Sequence, residues 1–338
     1  MKKISKKMNI TEIARRANVS IATVSRAINN PEKVRKETLQ LIQNEIEKSN
    51  YMKNSLGLQL RTNKTYTIGL IHTSLEMNFY SQIAQGIEET ARKQHYNLIL
   101  CNSADDPEIE EKQLQILFEK QVDGIIIAPT KYNLELIKKI QLNGVPVCCI
   151  DRIYTGLKSD HVLVDNKIST YEATTKLIAK GYRHIGFISA PTSLFTGAQR
   201  LEGFTSALRD NGLQIDEDYI QFGDTFIDSG YTTTIKLIQN PEIDCIFCAN
   251  ELMALGSLKA LNDNNILIPT QMGFLTWDNP PWAQFSNPQI SVIAQPTYEM
   301  GAIAAETIIR RITSEIHTYE EPLEITLHAK MIDRSSLC

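Results

Sequence analysis

Four polar side chains that can form hydrogen bonds lie close together near the amino terminus, at Ser20, Thr23, Arg26 and Asn29. They belong to residues 9–29, NITEIARRANVSIATVSRAIN, which predict a helix, a tight turn and a second helix beginning at a serine. An arginine on such a helix can donate two hydrogen bonds to guanine, and a serine at a helix start can contact a phosphate. This layout is typical of a helix-turn-helix, whose second helix enters the DNA major groove.

Caps and periodic apolar residues indicate the helices that position these side chains. Asn9, followed by Glu12, is typical of a helix start, and Ser20 is suited to begin the second helix. Ile21 and Ala22 offer only apolar contact, for example to a thymine methyl group. A third helix over residues 36–49 is expected to complete a small bundle. The second helix is expected to turn Val24, Ala27 and Ile28 inward and to keep Ala22, Thr23 and Arg26 on one outer side.

The charge distribution agrees with a nucleic-acid-binding end. The chain of 338 residues has a formal charge of −4. Residues 1–64 contain fourteen Lys or Arg and five Asp or Glu, which gives +9, so the remainder carries −13. A basic end on an acidic body indicates DNA binding by the end and another task for the body. The alternative is a helical bundle with solvated lysines.

The length and composition limit the number of structural units and the cellular compartment of the protein. The length predicts two or three structural units. There is no apolar run of about 18 residues, and the start lacks the apolar segment of a secretory signal, so we expect a cytoplasmic protein. The six cysteines are expected to be free thiols. Cys245 and Cys248 form a CxxC inside a strand-like run, and we interpret them as core residues rather than a metal or redox site.

The body alternates short apolar strands with helices, which predicts α/β lobes with parallel sheets and ligand binding at the carboxyl ends of the strands. The predicted strands are 67–71, 97–102, 124–128, 145–150, 162–164, 184–189, 245–249 and 271–276. The predicted helices are 79–94, 109–119, 134–142, 167–180, 200–211, 230–239, 251–262 and 298–313.

Residues 10–30, ITEIARRANVSIATVSRAINN, and the following VRKETLQLIQNEIEKSNYMKNSLGLQLR resemble the head and hinge of the lactose-repressor (LacI/GalR-type) family. The resemblance implies that Ile21 and Ala22 set operator preference. It also implies that Ser20, Thr23, Arg26 and Asn29 contact phosphates or bases. Residues 54–60, from Asn54 to Leu60, would form the hinge helix, with Leu60 wedged into the minor groove.

The hinge departs from the family pattern, which usually has proline where Lys53 stands and alanine where Gly57 stands. Glycine inside a helix costs about 1 kcal/mol relative to alanine. We therefore predict a hinge that orders only on operator DNA. Gly57→Ala should tighten operator binding and weaken the effector response in a gel-shift titration, and unchanged values would contradict this.

The resemblance continues through IGLI at 68–71, VDGIIIAP at 122–129, RHIGFISAP at 183–191 and CANELMALG at 248–256. It implies a helix-turn-helix head on a two-lobed body like that of periplasmic sugar-binding proteins. The implied domains are a head at 1–53, a hinge at 54–63, an N-lobe at 64–164 and 296–322, and a C-lobe at 165–295 and 323–338.

By position, the family's effector contacts fall on Phe79, Asp151, Arg152, Arg200, Asn250, Asp278 and Gln295, and Trp277 is a second aromatic candidate. Carboxylates, amides and aromatic faces suit sugars. Asp151–Arg152 could instead be a structural ion pair, and Phe79 could be core. Arg200 is expected to begin a helix, where a cation opposes the helix dipole, which favours a ligand role. Arg152, Arg200 and His72 at the cleft would favour an anionic effector such as a sugar acid. Glu251 stands where the family usually has aspartate.

No phosphate-loop, dinucleotide-binding, serine-hydrolase or zinc-protease motif is present, so neither an enzyme nor a cofactor nor a metal is expected. We expect a ligand-switched transcriptional regulator, most simply a repressor. It would be a homodimer reading a pseudo-palindrome, with dimer contacts near residues 79–94 and 250–261. Within the family, nucleobase or phosphoprotein co-regulation is the alternative. Outside it, a sugar-binding transport protein, a sugar-processing enzyme and a DNA-architectural protein are the alternatives.

Overall fold

The computed structural model describes residues 9–49, 64–314 and 321–338, except for the side chain of Asn29. The chain divides into two compact units, residues 1–63 and 64–338. We call these the head and the body. The predicted hinge, with Lys53, Asn54, Gly57 and Leu60, lies outside the described residues.

The head contains three helices: α1 (Ile10–Arg16), α2 (Ile21–Asn29) and α3 (Lys36–Ser49). Asn9 caps α1 by accepting a hydrogen bond from the Glu12 amide, as its sequence pattern predicts. Five buried residues hold the three helices together: Ile13, Ala14, Val24, Ala27 and Ile42. The predicted inward positions Val24 and Ala27 are therefore confirmed, and Ile28 packs against the same cluster.

The first sheet of the body has six parallel strands in the order β11-β5-β4-β3-β1-β2. Its strands are β1 (Thr67–His72), β2 (Asn97–Asn102), β3 (Gly124–Ile127), β4 (Val147–Ile150), β5 (Asp160–Val164) and β11 (Glu324–Leu327). The helices packed with this sheet are α4 (Asn78–Lys93), α5 (Pro107–Glu119), α6 (Leu134–Leu142) and α12 (Thr297–Thr313), the last of which leads into β11. We call this layer the N-lobe.

The second sheet has the order β12-β10-β9-β8-β6-β7 and forms the C-lobe. It is parallel except for β12, which pairs antiparallel with β10. Its strands are β6 (Ile185–Ser189), β7 (Ile220–Phe222), β8 (Cys245–Cys248), β9 (Gly273–Trp277), β10 (Ser291–Ala294) and β12 (Lys330–Ile332). Its helices are α7 (Asn166–Ala179), α8 (Phe195–Asp210), α9 (Ile227–Leu237), α10 (Glu251–Asp263) and α11 (Pro281–Phe285).

The structure corrects three predictions about the body. The sequence prediction missed the short strands β7, β10, β11 and β12. The predicted change of lobe after residue 322 is wrong, because β11 pairs with β5 in the N-lobe sheet and the chain crosses only afterwards. Arg200 does not begin a helix either, since α8 starts five residues earlier at Phe195.

The structure places Cys245 and Cys248 in the core, as the sequence analysis predicted. Cys245 and Cys248 lie in the central strand β8, and both are fully buried. Burial raises the pKa of the Cys248 thiol to about 12, so it stays protonated near neutral pH. In the described part of the chain, no cluster of histidine, cysteine and acidic side chains suits a metal ion. None of the helices described there is long and apolar enough to cross a lipid bilayer.

Candidate functional site

One cavity lies between the two sheets of the body and is lined by residues that follow strands of both lobes. Asp151 follows β4 of the N-lobe, whereas Asn250 and Asp278 follow β8 and β9 of the C-lobe. This is the position expected for ligands of open parallel sheets. The cavity has a volume of about 50 Å³, so the lobes lie close together here.

Seven of the eight predicted effector residues line this cavity: Phe79, Asp151, Arg152, Arg200, Asn250, Asp278 and Gln295. The eighth, Trp277, does not. It is fully buried, and the Arg200 guanidinium carbon lies 3.7 Å from the centre of its ring. The face of the Trp277 ring, predicted to contact the effector, is therefore already covered by the Arg200 guanidinium group, and Trp277 instead holds Arg200 in place through a cation–π contact.

The Arg200 side chain is fixed in three ways. Its Nε donates to Oδ1 of Asn166 at 2.7 Å, and its Nη1 donates to the carbonyl oxygen of Ala249 at 2.6 Å. The indole of Trp277 adds a cation–π contact. A planar guanidinium held at two nitrogens and on one face has a single orientation, so its remaining edge is pre-organised for a ligand.

A second polar group of the cavity belongs to the N-lobe. The hydroxyl of Tyr80 donates to Oδ2 of Asp151 at 3.0 Å. Nη1 of Arg152 donates to Oδ1 of Asp105 at 2.6 Å, and its Nε lies 3.6 Å from Oδ2 of Asp151. The predicted Asp151–Arg152 ion pair is thus present, and both residues also line the cavity. Phe79 likewise packs in the core and lines the cavity.

The C-lobe supplies amides and a further carboxylate. Nε2 of Gln295 donates to Oδ1 of Asp278 at 2.7 Å. Oδ1 of Asn250 accepts from the Met253 amide and caps α10, which fixes the direction of the Asn250 side chain. Asp151 and Asp278 have left-handed backbone angles, with φ of 65° and 71°. Such sparsely populated conformations concentrate at ligand sites.

Burial dominates the electrostatics of the cavity. It raises the pKa of both Asp151 and Asp278, while the neighbouring Arg200 opposes the rise at each carboxyl. Burial lowers the pKa of Arg200, and the two carboxylates oppose that change. Arg200 and the two carboxylates therefore stabilise one another's charged forms in a site shielded from water, whereas the negative charge of Asp151 adds to the rise in the pKa of Asp278.

Among the residues that the structure describes, two buried polar atoms of the lining have no hydrogen-bond partner: Nε of Arg152, a donor that lies 3.6 Å from Oδ2 of Asp151, and Oε1 of Gln295, an acceptor. An unsatisfied buried polar atom costs about 1–3 kcal/mol. A ligand whose groups both donate and accept can satisfy the two atoms together, and hydroxyl groups do both.

Sequence reasoning missed several lining residues, among them Thr73, Tyr80, Asp105, Thr196 and Phe226. Thr73 and Asp105 follow the ends of β1 and β2, so the strand-end rule could have identified them. Phe226 follows the missed strand β7. His72, expected at the cleft, is buried and its ring stacks on that of Tyr80, 5.6 Å between centres, so it lies behind the lining.

The head presents a second candidate surface on α2. Asn18 adopts a left-handed turn conformation, and Ser20 then caps α2 by accepting from the Thr23 amide at 3.1 Å. The hydroxyls of Ser20 and Thr23 are 2.8 Å apart. Ile21, Ala22 and Arg26 are exposed, and Ile21 keeps 47% of its surface accessible despite being apolar. This exposed face has the composition expected for reading DNA bases.

Residues 65–334 match the family described as periplasmic binding proteins and sugar binding domain of LacI family, and residues 9–54 match the bacterial regulatory proteins of the lacI family. The chain belongs to the LacI family. The predicted resemblance and the predicted fold, a helical head with a two-lobed α/β body, are thereby confirmed.

Relatives in this family match over nearly the whole chain. The transcriptional regulator RegA of Clostridium saccharobutylicum is 32% identical over 333 residues, covering 97% of this chain and 98% of RegA. The transcriptional repressor PurR of Escherichia coli is 30% identical over 331 residues, covering 97% and 96%. The chain is accordingly a transcriptional regulator and not an enzyme.

Solved structures agree with this assignment. A complex of the regulator CelR with cellobiose is 26% identical, with a TM-score of 0.73 and coverage of 97% of this chain and 99% of CelR. A lac repressor dimer bound to operator and the anti-inducer ONPF has a TM-score of 0.85 at 20% identity, covering 98% and 99%. The second likeness shows the fold alone.

Proposed function

We propose that this LacI-family regulator is a repressor whose operator affinity is switched by a small neutral sugar bound between the lobes of its body. The Nε donor of Arg152 and the Oε1 acceptor of Gln295, which make no hydrogen bond within the described part of the chain, carry this proposal, because sugar hydroxyls satisfy both. The regulator CelR, solved as a complex with cellobiose, supports it by analogy.

The charges of the cavity favour a neutral effector over the sugar acid that the sequence suggested. Three carboxylates line the cavity, at Asp105, Asp151 and Asp278, against two guanidinium groups, at Arg152 and Arg200. Arg152 is already paired with Asp105. An anionic ligand would add negative charge to a buried site that has an acidic excess, which is unfavourable.

A nucleobase is the alternative effector, since relatives named PurR share 29–30% identity with this chain. Thermal melting of the full-length protein with matched panels of neutral sugars, sugar acids and nucleobases tests the proposal. We expect stabilisation by a neutral sugar, which should also change operator affinity. Stabilisation by acids or nucleobases alone would contradict the effector class.

On DNA, we propose that α2 enters the major groove. Arg26 and Thr23 would contact base edges, Ser20 and Asn29 would contact phosphates or bases, and Ile21 and Ala22 would set preference through apolar contact. Asn54 and Leu60 remain candidate DNA-contacting residues of the hinge, on the basis of the family resemblance.

The predicted boundaries of the two lobes, apart from the corrected one at residue 322, also remain proposals.

We further propose a homodimer. The predicted dimer segment 250–261 is mostly buried within its own protomer. Exposed apolar side chains lie instead beside two of the four edge strands, β2 and β7, each of which pairs on one side only with strands of the described part of the chain. They are Leu100, Ile116 and Phe118 in the N-lobe and Phe222, Phe226 and Ile227 in the C-lobe. A second copy of the chain that covered these side chains would remove apolar surface from water and would shield the open edges of β2 and β7 from pairing with other chains.

A further inference from the structure

Helix α4 of the N-lobe begins at the cavity without a cap of its own. Its N-cap residue, Met77, makes no side-chain hydrogen bond to the helix. The first amides of any helix lack partners within the helix, and a negative group near them is favourable. Phe79 and Tyr80 in the first turn of α4 line the cavity, so this helix start belongs to the wall of the effector site.

A carboxyl group from the other lobe meets this helix start. Glu251 is the first residue of α10 in the C-lobe and is only 3% exposed. The backbone amides of Asn78 and Phe79 interact with its carboxyl group and favour the charged form. Its Oε2 has no hydrogen-bond partner. A C-lobe side chain therefore acts on the helix start that Met77 leaves uncapped.

We propose that Glu251 is an interlobe latch, whose carboxyl group closes against the start of α4 only when the two lobes are together. This inference adds a coupling residue to the proposed function and rests on its premise that the lobes move. Separation of the lobes would remove the carboxyl from the Asn78 and Phe79 amides and expose it to water.

Closure of the two lobes is coupled to protonation of the Glu251 carboxyl group. Burial, and then the neighbouring Asp278, raise the pKa of Glu251 from its ordinary 4.5 to about 7, against the opposing effect of the α4 amides. The other charged groups at this place are Arg200 and Asp151, which act on Asp278. An opened body would return Glu251 to water and to its ordinary pKa. The closed form then binds more protons between pH 4.5 and 7, so acidification favours closure and alkaline pH favours opening.

The side-chain length is part of the proposal. Glutamate at this position reaches one methylene further than the aspartate usual in the family. Glu251→Asp should shorten the side chain that reaches the α4 amides. Glu251→Gln should keep the shape of the side chain while removing its charge, and Glu251→Ala should remove its contact with α4. Glu217→Gln, an exposed residue of the same lobe, is the matched control.

Distance measurements by electron paramagnetic resonance on the full-length, ligand-free protein test the latch. One nitroxide label is placed on Cys338, the exposed cysteine of the C-lobe, and the other on the N-lobe through Tyr132→Cys, a position that is 77% exposed. The remaining cysteines, at 101, 148, 149, 245 and 248, are buried. No effector is needed, so failure of the sugar proposal leaves this test intact.

Between pH 8 and pH 6, we expect the ratio of short to long interlobe distances to rise about tenfold in the wild type and in Glu217→Gln. Glu251→Gln and Glu251→Ala should not respond to pH in this range, because neither side chain titrates, and Glu251→Ala should show longer distances than Glu251→Gln because it lacks the contact with α4. Glu251→Asp, which keeps the charge but reaches less far toward the α4 amides, should show longer distances than the wild type. Thermal melting checks folding, and Glu251→Gln should melt higher than the wild type at pH 8 but not at pH 5. A wild-type pH response that persists in Glu251→Gln, or no difference between wild type and Glu251→Ala, would overturn the latch.

Discussion

The guanidinium group of Arg200 lies flat on the indole of Trp277, 3.7 Å from the ring centre, while two of its nitrogens are bound to Asn166 and Ala249. A residue from the middle of α8 is thus tied to β9, to the carboxyl end of β8 and to the start of α7. The cation is held rigidly before any ligand arrives. Pre-organisation of this kind reduces the entropy lost on binding.

Arg200→Lys should therefore weaken effector binding although the charge is retained. A lysine ammonium cannot hold both acceptors while lying flat on the indole. We expect roughly a 10–100-fold loss of affinity for the sugar found in the melting screen, measured by calorimetry. Operator binding without effector should be unchanged. Arg209→Lys, an exposed position on the same helix, is the control, and equal losses in the two variants would refute a specific role for Arg200.

Arg26→Ala should reduce affinity for the selected operator by roughly 5–150-fold, which corresponds to about 1–3 kcal/mol for one bidentate base contact. The loss should be much smaller on random duplex, because a base-reading arginine contributes specificity. Lys33→Ala, an exposed basic position in the head, should weaken both duplexes alike. Fluorescence anisotropy at fixed salt measures both. A uniform loss for Arg26→Ala would identify it as a phosphate contact instead.

Phe222→Glu should disrupt the proposed homodimer. Phe222 is 54% exposed on the edge strand β7 and does not line the effector cavity, and a charge there would be desolvated by any partner surface. We expect at least a tenfold weaker dimer by sedimentation equilibrium. Leu142→Glu, at an 86% exposed position at the end of α6, should leave the dimer intact. A wild-type protein that stays monomeric at micromolar concentration would disprove the dimer.

Gly256→Ala should destabilise the C-lobe strongly. A Cβ added at Gly256 would lie 1.9 Å from the carbonyl oxygen of Ile227, which is backbone and cannot move aside cheaply. Overpacking of this kind costs about 1–3 kcal/mol or more, so the melting temperature should fall by several degrees. Lys259→Ala on the exposed side of the same helix should have little effect. An unchanged melting curve for Gly256→Ala would mean that α9 and α10 pack less closely than described.

The sequence predicted the elements whose signals are local. Continuous apolar runs marked the central strands, and the caps Asn9 and Ser20 marked the helices of the head. It failed at β11, Glu324–Leu327, whose alternation of exposed and half-buried residues carries no core signal and whose place is set by pairing with β5. Long-range pairing of this kind cannot be read from a local pattern.

The same limit applies to the site. Strand ends and the family resemblance identified most of the lining residues. They could not show that Trp277 lies beneath Arg200, since that depends on how α8 crosses β9. The predicted helix began at residue 200, five residues after the start of α8 at Phe195. Gly197 lies in this first part of α8, where a Cβ would be 2.4 Å from the carbonyl oxygen of Pro191, a contact that no local pattern reveals.

The central claim is that a ligand in the body changes DNA binding by the head. Anisotropy titration of the full-length protein on its selected operator and on random duplex, with and without a saturating neutral sugar from the melting screen, tests it most directly. We predict preferential binding to the operator and a sugar-dependent change of roughly 5–150-fold in operator affinity, as is typical of allosteric coupling. Operator affinity that is the same with and without every sugar that stabilises the protein would contradict the account.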